Sequence, residues 1–286
     1  MNKNITIVII SHKSKDLVIN FVKKTYDKFK LIIIDNSNDT ELKNFLDKYY
    51  PNTIIKIVEN NGFGSAINYA STLVKTDYFL SCNPDITELN EKNIIEFENV
   101  AKKLNDEFCV LGPRYKNLNE KSIKQSSKKK EIAEMKFISG ACMFFKKEIF
   151  DLLGGFDENF FLYFEESDFC LRAFKINKNY QINTIQIEHN IGTSVSTNDM
   201  EEKKNLEELY TWHFMWSKYY YYRKNYGIIF TLTYFLPIYL RIIIRIIFHS
   251  FFNKKGKYSK YKIRLDALIV SFKGINSYKR LDKRKD

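Results

Sequence analysis

The chain has 286 residues, 44% of them hydrophobic and 28% charged, with only 10 Gly and 4 Pro. Such a composition belongs to a globular protein and excludes collagen-like, elastic and most disordered classes. The 46 Lys+Arg exceed the 34 Asp+Glu by 12, and the excess sits in one place. Residues 1–200 carry 27 of each sign, and residues 201–286 carry 19 basic against 7 acidic (19 − 7 = 12). A balanced domain over 1–200 with a basic appendage over 201–286 is therefore expected. A nucleic-acid binder, with lysines and aromatics interleaved along its sheet, is excluded. Cys82, Cys109, Cys142 and Cys170 form no C-x-x-C pair, which predicts free core thiols in a reducing compartment without a zinc or disulfide framework. The first apolar run, Ile5–Ile10, is too short for a secretory signal, so a cytoplasmic location is expected.

In chain order, Ile5–Ile10 reads as a strand and about Lys15–Tyr26 as a helix. Leu31–Ile34 is a second strand, Glu41–Tyr49 a second helix, Thr53–Val58 a third strand, Ala66–Val74 a helix and Tyr78–Leu80 a fourth strand. Near-continuous apolar strands separated by helices predict an α/β domain whose parallel strands are covered on both faces. Residues 116–135 are rich in Lys, Ser, Asn and Glu, including Lys128-Lys129-Lys130, and read as a solvated loop or a mobile lid. Phe137–Phe145 reads as a buried strand, and Lys146–Leu153 as a short helix stopped by Gly154-Gly155.

Ligands of such sheets bind beyond the strand C-termini. The polar residues there are Ser11-His12, Asp35-Asn36-Ser37, Glu59-Asn60-Asn61-Gly62 and Asn83-Pro84-Asp85. There is neither GxGxxG nor GxxxxGK[ST], so a dinucleotide site or a P-loop is not expected. Asp85 follows an apolar strand and is either a turn former or a ligand for a hard cation that substrate phosphates complete. His189 follows another strand, as a structural imidazole or a ligand. The stretch 154–168 packs Asp157, Glu158, Glu165, Glu166 and Asp168 among aromatic residues. Glu165 and Glu166 would open a helix to about Lys175, where acids favour the dipole. Repulsion and desolvation there would also raise a carboxylate towards general-base use near neutrality.

The appendage reads as a charged helix over 201–225 that becomes aromatic, followed by the apolar stretch Gly227–Phe252. Its longest uncharged run, Gly227–Leu240, is 14 residues, short of the ~20 that a spanning helix needs. Arg241, Arg245 and His249 at i, i+4, i+8 suggest a basic stripe on an apolar cylinder. Such a helix suits an anionic membrane interface, reinforced by the basic residues of Lys254–Lys285. The alternative is a buried helix whose arginines pair with acids.

Taken together, the stretches Ile5–Ser11, Ile32–Ser37, Asn61–Asn68, Asn83–Asp85, Ser139–Ala141, Gly154–Glu158, Tyr163–Asp168 and His189-x-x-Gly192-x-Ser194 resemble the family 2 glycosyltransferases of GT-A fold. The rhamnosyltransferase-like branch is the nearest. The matches run in family order over about residues 4–196. The resemblance implies a GT-A fold, an α/β, doubly wound mixed sheet, to which the basic helical appendage adds a membrane-associating part. It implies a donor site made by Ser11, His12, Asp35, Asn61, Gly62, Phe63, Asn68, Asn83 and Asp85, in which Asp35 reads a pyrimidine edge. Gly140, Asp157 and Glu158 would lie near donor and acceptor, and Asp85 with His189 near a Mg²⁺ or Mn²⁺ ion. Glu166 occupies the catalytic-base position, with Glu165 and Asp168 as alternatives. The family usually has Glu-Asp where this chain has Glu165-Glu166, and an aromatic where it has His12.

The implied reaction is an inverting transfer of a sugar, rhamnose first, from a dTDP- or UDP-sugar donor to a glycan or polyprenyl-linked acceptor. It would take place at the inner face of the cytoplasmic membrane, without nucleic acid. A UDP-hexose transferase and an inactive nucleotide-sugar-binding homologue are the alternatives. A sugar-1-phosphate nucleotidyltransferase would want a glycine-rich loop after the first strand, and Ser11-His12-Lys13-Ser14 has no glycine.

Overall fold

The computed structural model describes residues 4–118, 125–127, 130–193, 195 and 199–280. Lys128, Lys129, Ser194 and residues 281–285 of the basic tail lie outside the described residues. The chain divides into two compact units: residues 1–157 with 169–196, and residues 158–168 with 197–286.

The first unit is built on a mixed sheet in the order β3-β2-β1-β4-β8-β6-β9-β5, with β7 paired to β9. Its strands are β1 (Ile5–Ser11), β2 (Lys30–Asp35), β3 (Ile54–Ile57), β4 (Tyr78–Cys82), β5 (Ile86–Thr87), β6 (Val110–Tyr115), β7 (Ile132–Met135), β8 (Cys142–Lys146) and β9 (Asn179–His189). Strands β1 to β4 pair in parallel, and β8 runs antiparallel to both β4 and β6. The helices are α1 (Lys15–Thr25), α2 (Thr40–Tyr49), α3 (Phe63–Leu73), α4 (Glu91–Lys103), α5 (Lys147–Leu152) and the last part of α6 (Glu165–Ala173).

Alternation along β1 sends Ile5, Ile7 and Ile9 to one face, where they pack with Val18, Phe21 and Val22 of α1, Leu42 and Leu46 of α2, and Phe97 of α4. Val8 and Ile10 point to the other face and meet Ala66, Ile67 and Ala70 of α3, Phe150 of α5, and Phe169 and Cys170 of α6. Both faces are thus covered, as the continuous apolar strands predict. All four cysteines are free and buried. Winding runs from β1 out to β3 and then reverses to β4, so the strand order turns between β1 and β4. Crevices at such turning points are where doubly wound sheets hold ligands.

Three local expectations are corrected. The polar stretch 116–135 is not loop throughout: Ile132–Met135 forms β7, antiparallel to β9. The side chains of Gln125 and Ser126 are also tied to Tyr115 and Asn183. The strand expected over Phe137–Phe145 starts only at Cys142, because Ser139-Gly140-Ala141 makes a turn in which Cys142 N–H bonds back to Ser139 O. Residues 158–168 belong to the second unit rather than to the α/β domain.

The second unit is helical. Its long helix α7 (Met200–Phe251) is broken at Gly227, whose φ of 81° is left-handed, and α8 (Lys255–Phe272) packs against it. Trp212, Met215, Trp216, Tyr219, Phe235, Ile242, Ala267, Leu268 and Val270 form its core. Asp266 and the Ile275 carbonyl accept from the two indoles, at 2.7 and 3.0 Å. After Gly227 only one row of α7 is buried, through Thr231, Phe235, Ile242 and His249. Ile229, Leu236, Leu240, Ile244, Ile247 and Phe251 are exposed. The expected basic stripe loses His249, which is buried against Tyr261. Steps of four residues overshoot the helical repeat by ~40° each. Arg241 and Arg245 stay outside, and the next step turns into the α8 contact.

Candidate active site

In the first unit the strand ends are tied to one another. Ser11, fully buried at the end of β1, lies opposite Asp35 at the end of β2. One turn further on, His12 Nδ1 and Asn36 Oδ1 are 2.8 Å apart, and Asn36 Nδ2 donates to Asn60 Oδ1 at 3.2 Å. This row joins the loops after β1, β2 and β3. Since the Asn36 amide nitrogen is given to Asn60, its oxygen accepts from His12, which places a proton on Nδ1. Asn60 Oδ1 also accepts from Gly62 N–H. Gly62 precedes α3 with a φ of 103°, a left-handed geometry that suits glycine. Asn61 is exposed and Phe63 half-buried at the start of that helix.

Two expected donor residues are engaged locally. The buried Asp35 carboxylate accepts from Ser37 N–H at 3.0 Å, Asp39 N–H at 2.9 Å and Ser37 Oγ at 2.9 Å, so it orders its own turn. The Asn68 amide meets Phe156 in both directions, donating to its carbonyl at 2.9 Å and accepting its N–H at 2.8 Å. The neighbouring Gly155 has a φ of 66°, and a Cβ there would stand 2.4 Å from Asn68 Oδ1, so this close approach requires glycine. Arg172 holds the same turn through the carbonyls of Leu153 and Gly155, at 2.6 and 2.7 Å. Asp157 is half-buried just beyond it.

After β4, Asn83 N–H bonds to Ala141 O at 2.9 Å, setting the strand end beside the half-buried Gly140 turn. Asp85 follows, 1% exposed. The short β5 pairs with β9 so that Ile86 faces His189, and this register brings His189 Nε2 to 3.3 Å from Asp85 Oδ1. Asn117 fixes the histidine from outside the motif pattern: its amide donates to His189 O at 3.0 Å and accepts His189 N–H at 3.1 Å. Burial, with the charge of Asp85 added, pushes the nearby Cys82 thiol up to about 12, so this thiol stays neutral. A carboxylate and an imidazole converging at a strand end are suitable donors for Mn²⁺ or Mg²⁺. Among the described residues no third His, Cys, Asp or Glu joins them, so a cation held there would draw its other ligands from phosphate oxygens or water.

In the second unit the acidic residues differ in access. Glu158 is exposed, Glu165 is 6% exposed and Asp168 fully buried, whereas Glu166 is half-buried. Burial, reinforced by the neighbouring Glu166, holds the Glu165 carboxyl well above the usual carboxylate range. Burial also raises Glu166, against the opposing pull of backbone N–H groups at the helix start and of Ser167. Tyr163 and Phe164, just before the helix, have φ values of 68° and 71°, left-handed geometry that costs a non-glycine residue energy. Aromatic packing holds them there: Tyr163 lies against Tyr210 and Phe214, and Phe164 against Phe214 and Tyr221. Ser217 Oγ donates to Leu162 O at 2.7 Å. Lys224 and Asn225, which no sequence motif singles out, bind the two oxygens of Asp168 at 2.8 and 3.0 Å.

The family model described as glycosyl transferase family 2 matches residues 6–181. The chain is 24% identical over 212 residues to the low-salt glycan biosynthesis hexosyltransferase Agl10 of Haloferax volcanii, covering 66% of this chain and 68% of that one. Among solved structures, the mannosyltransferase PcManGT from Pyrobaculum calidifontis, in complex with GDP-Man and Mn²⁺, aligns with a TM-score of 0.57 at 12% identity. The alignment covers 95% of this chain and 88% of that one. S. aureus TarS 1–349 in complex with UDP-GlcNAc aligns with a TM-score of 0.52 at 13% identity over 95% and 92% of the two chains. The match over more than half of the chain, on a sheet of this topology, identifies the protein as a member of glycosyl transferase family 2 with the GT-A fold.

Proposed function

We propose that this glycosyltransferase moves a hexose or deoxyhexose, rhamnose first, from a nucleoside-diphosphate donor to a hydroxyl of a lipid-linked glycan, with inversion, at the cytoplasmic face of a membrane. The observation that carries the donor half is the Asp85–His189 pair, three residues beyond the end of β4 and at the end of β9. The similarity to a hexosyltransferase of glycan biosynthesis supports the sugar class. The strand-end residues Ser11, His12, Asn61, Gly62, Phe63 and Asn83 would line the nucleotide, and Gly140 and Asp157 the sugar side. Asp85 and His189 would hold a divalent cation, which when bound neutralises charge on the diphosphate.

Of the three carboxyls at the start of α6, Glu166 alone combines a raised affinity for protons with access to solvent. It would accept the proton of the attacking hydroxyl, the acceptor oxygen bonding to the anomeric carbon as the donor phosphate leaves from the opposite side. Glu165, buried and favouring its neutral form, leaves its neighbour free to ionise. Membrane placement is supported by the exposed apolar side chains from Ile228 to Phe252, with Arg241, Arg245, Lys254, Lys255 and Lys257 among and beyond them. By length and composition α7 also reaches what a crossing needs. Two arginines within its apolar length favour lying in the interface, their heads among lipid phosphates.

The test is a thermal-shift panel on the full chain with dTDP, UDP, GDP, CMP and ATP, each with and without Mg²⁺ or Mn²⁺. Binding at 100 Kd adds about 2.7 kcal/mol, a rise of several degrees. A metal-dependent rise with dTDP, UDP or GDP, abolished in Asp85→Ala, is expected. No rise with any nucleotide would overturn the donor assignment.

A further inference from the structure

We propose that Lys224 and Asn225 of α7 are positioning residues for sugar transfer: by clamping Asp168 they fix the orientation and charge of the carboxylate turn that presents Glu166. The inference rests on Glu166 being the base. Asp168 is fully buried, and each of its oxygens receives a donor from the long helix, Lys224 Nζ at 2.8 Å and Asn225 Nδ2 at 3.0 Å. A carboxylate so held is an anchor, not a proton acceptor for substrate. It sits in the first turn of α6, two residues after Glu166, so what fixes it fixes the turn.

The same helix secures the other side of Glu166. Ser217 holds the Leu162 carbonyl, and Tyr210, Phe214 and Tyr221 pack on the strained pair Tyr163 and Phe164. Three residues of α7, Ser217, Lys224 and Asn225, are therefore spent on one acidic turn beyond the packing contacts, and Gly227 breaks the helix two residues after the clamp. The helical unit thus has a task besides lipid contact. Around the turn the titratable and charged groups are Glu165, Glu166 and Asp168 on α6, Tyr163 before it, and Tyr210, Tyr221 and Lys224 on α7. Lys224 is the cation among them that balances Asp168. Removing that cation takes one counter-charge from the buried carboxylate beside Glu166, which favours the protonated form of Glu166.

The full chain, with whichever of UDP-glucose, GDP-mannose and dTDP-rhamnose it turns over, is compared with Lys224→Met, Lys224→Arg, Asp168→Asn, the double variant Asp168→Asn/Lys224→Met, and Glu166→Gln. Lys224→Met is expected to lose about 10- to 100-fold in kcat, with the donor KM and the nucleotide-induced thermal shift unchanged. The acid limb of its pH profile should move to higher pH. Asp168→Asn should move that limb the other way, the double variant should bring it back, and Lys224→Arg should restore most of the turnover. A titration of glutamate side-chain carbons by NMR, assigned with Glu166→Gln, reads the same displacement without any donor. The proposal is overturned by wild-type kcat and limb in Lys224→Met, or by a loss of kcat with the limb and the Glu166 titration unmoved. If instead Glu166→Gln retains wild-type turnover, it is the base assignment that fails.

Discussion

The two units answer the same problem, burying apolar surface, in opposite ways. The first covers both faces of its sheet and leaves few large apolar side chains exposed, such as Tyr49, Tyr69 and Leu152. The second buries one row of α7 after Gly227 and leaves most of the remaining circumference exposed and apolar, in a part of the chain that carries the entire positive excess. A contiguous patch of this kind marks an interaction surface rather than a defect of folding. The contrast fits the proposed division, in which the first unit holds a small polar ligand at its strand ends and the second meets a large surface.

That division of labour can be broken or sharpened by substitution. The largest effect is expected for Glu166→Gln, which should cut turnover by about 10²–10⁴ yet leave the nucleotide-induced thermal shift intact. A parallel loss of nucleotide binding would merge the two roles. In the wild type, activity should fall as pH drops through a Glu166 pKa above the ordinary carboxylate range, since the proton-accepting form is lost there. Next in size is Asn68→Ala, which strands the Phe156 backbone groups and should cost the first unit about 1–3 kcal/mol. It is read as a lower Tm with unchanged binding to vesicles.

Arg241→Gln with Arg245→Gln should weaken co-sedimentation with phosphatidylglycerol vesicles by about 30-fold at low salt, at about 1 kcal/mol for each charge. Nucleotide binding should not respond. The smallest effect concerns Glu165. Its carboxyl is raised in the folded state, so the native form binds the proton more tightly than the unfolded chain does. Stability from this group is full below the unfolded-state pKa and is lost as pH rises through the folded one. Glu165→Gln should therefore raise Tm at pH 8 and give little difference at pH 4, with each kcal/mol read as roughly 2–4 °C.

Most of the first hundred residues were legible in the sequence because continuous β-branched runs and amphipathic helices carry their own periods. The strand-end residues followed from the topology, and the approach of Asp85 to His189 from motifs in family order. What was not legible depended on distant partners. Strand β7 hides in a polar stretch because it is short and its Glu134 faces outward. The membership of residues 158–168 in the helical unit is set by rings more than 40 residues further along the chain, such as Tyr220 on Phe160. Asn117, Lys224 and Asn225 act through contacts to residues far along the chain, which leave no period or spacing to read. For Asp35 and Asn68 the resemblance implies ligand contacts, and the hydrogen-bond geometry adds local bonds, to Ser37 and Asp39 and to Phe156, that no motif carries.

The break at Gly227 has a mechanical side. Nothing lies within 4 Å of where its Cβ would be, yet the corner is bridged by rings: Tyr219 packs on Phe235 and Tyr222 on Tyr234, and Thr231 Oγ1 donates to Gly227 O at 2.7 Å. Beyond it the rod from Ile228 to Phe251 is about 36 Å long at 1.5 Å per residue. A rotation of about 10° at this pivot would sweep the far end through roughly 6 Å at that length. The aim of the rod is therefore set by these rings together with one pair of backbone dihedrals, and a small change at either is magnified at the far end.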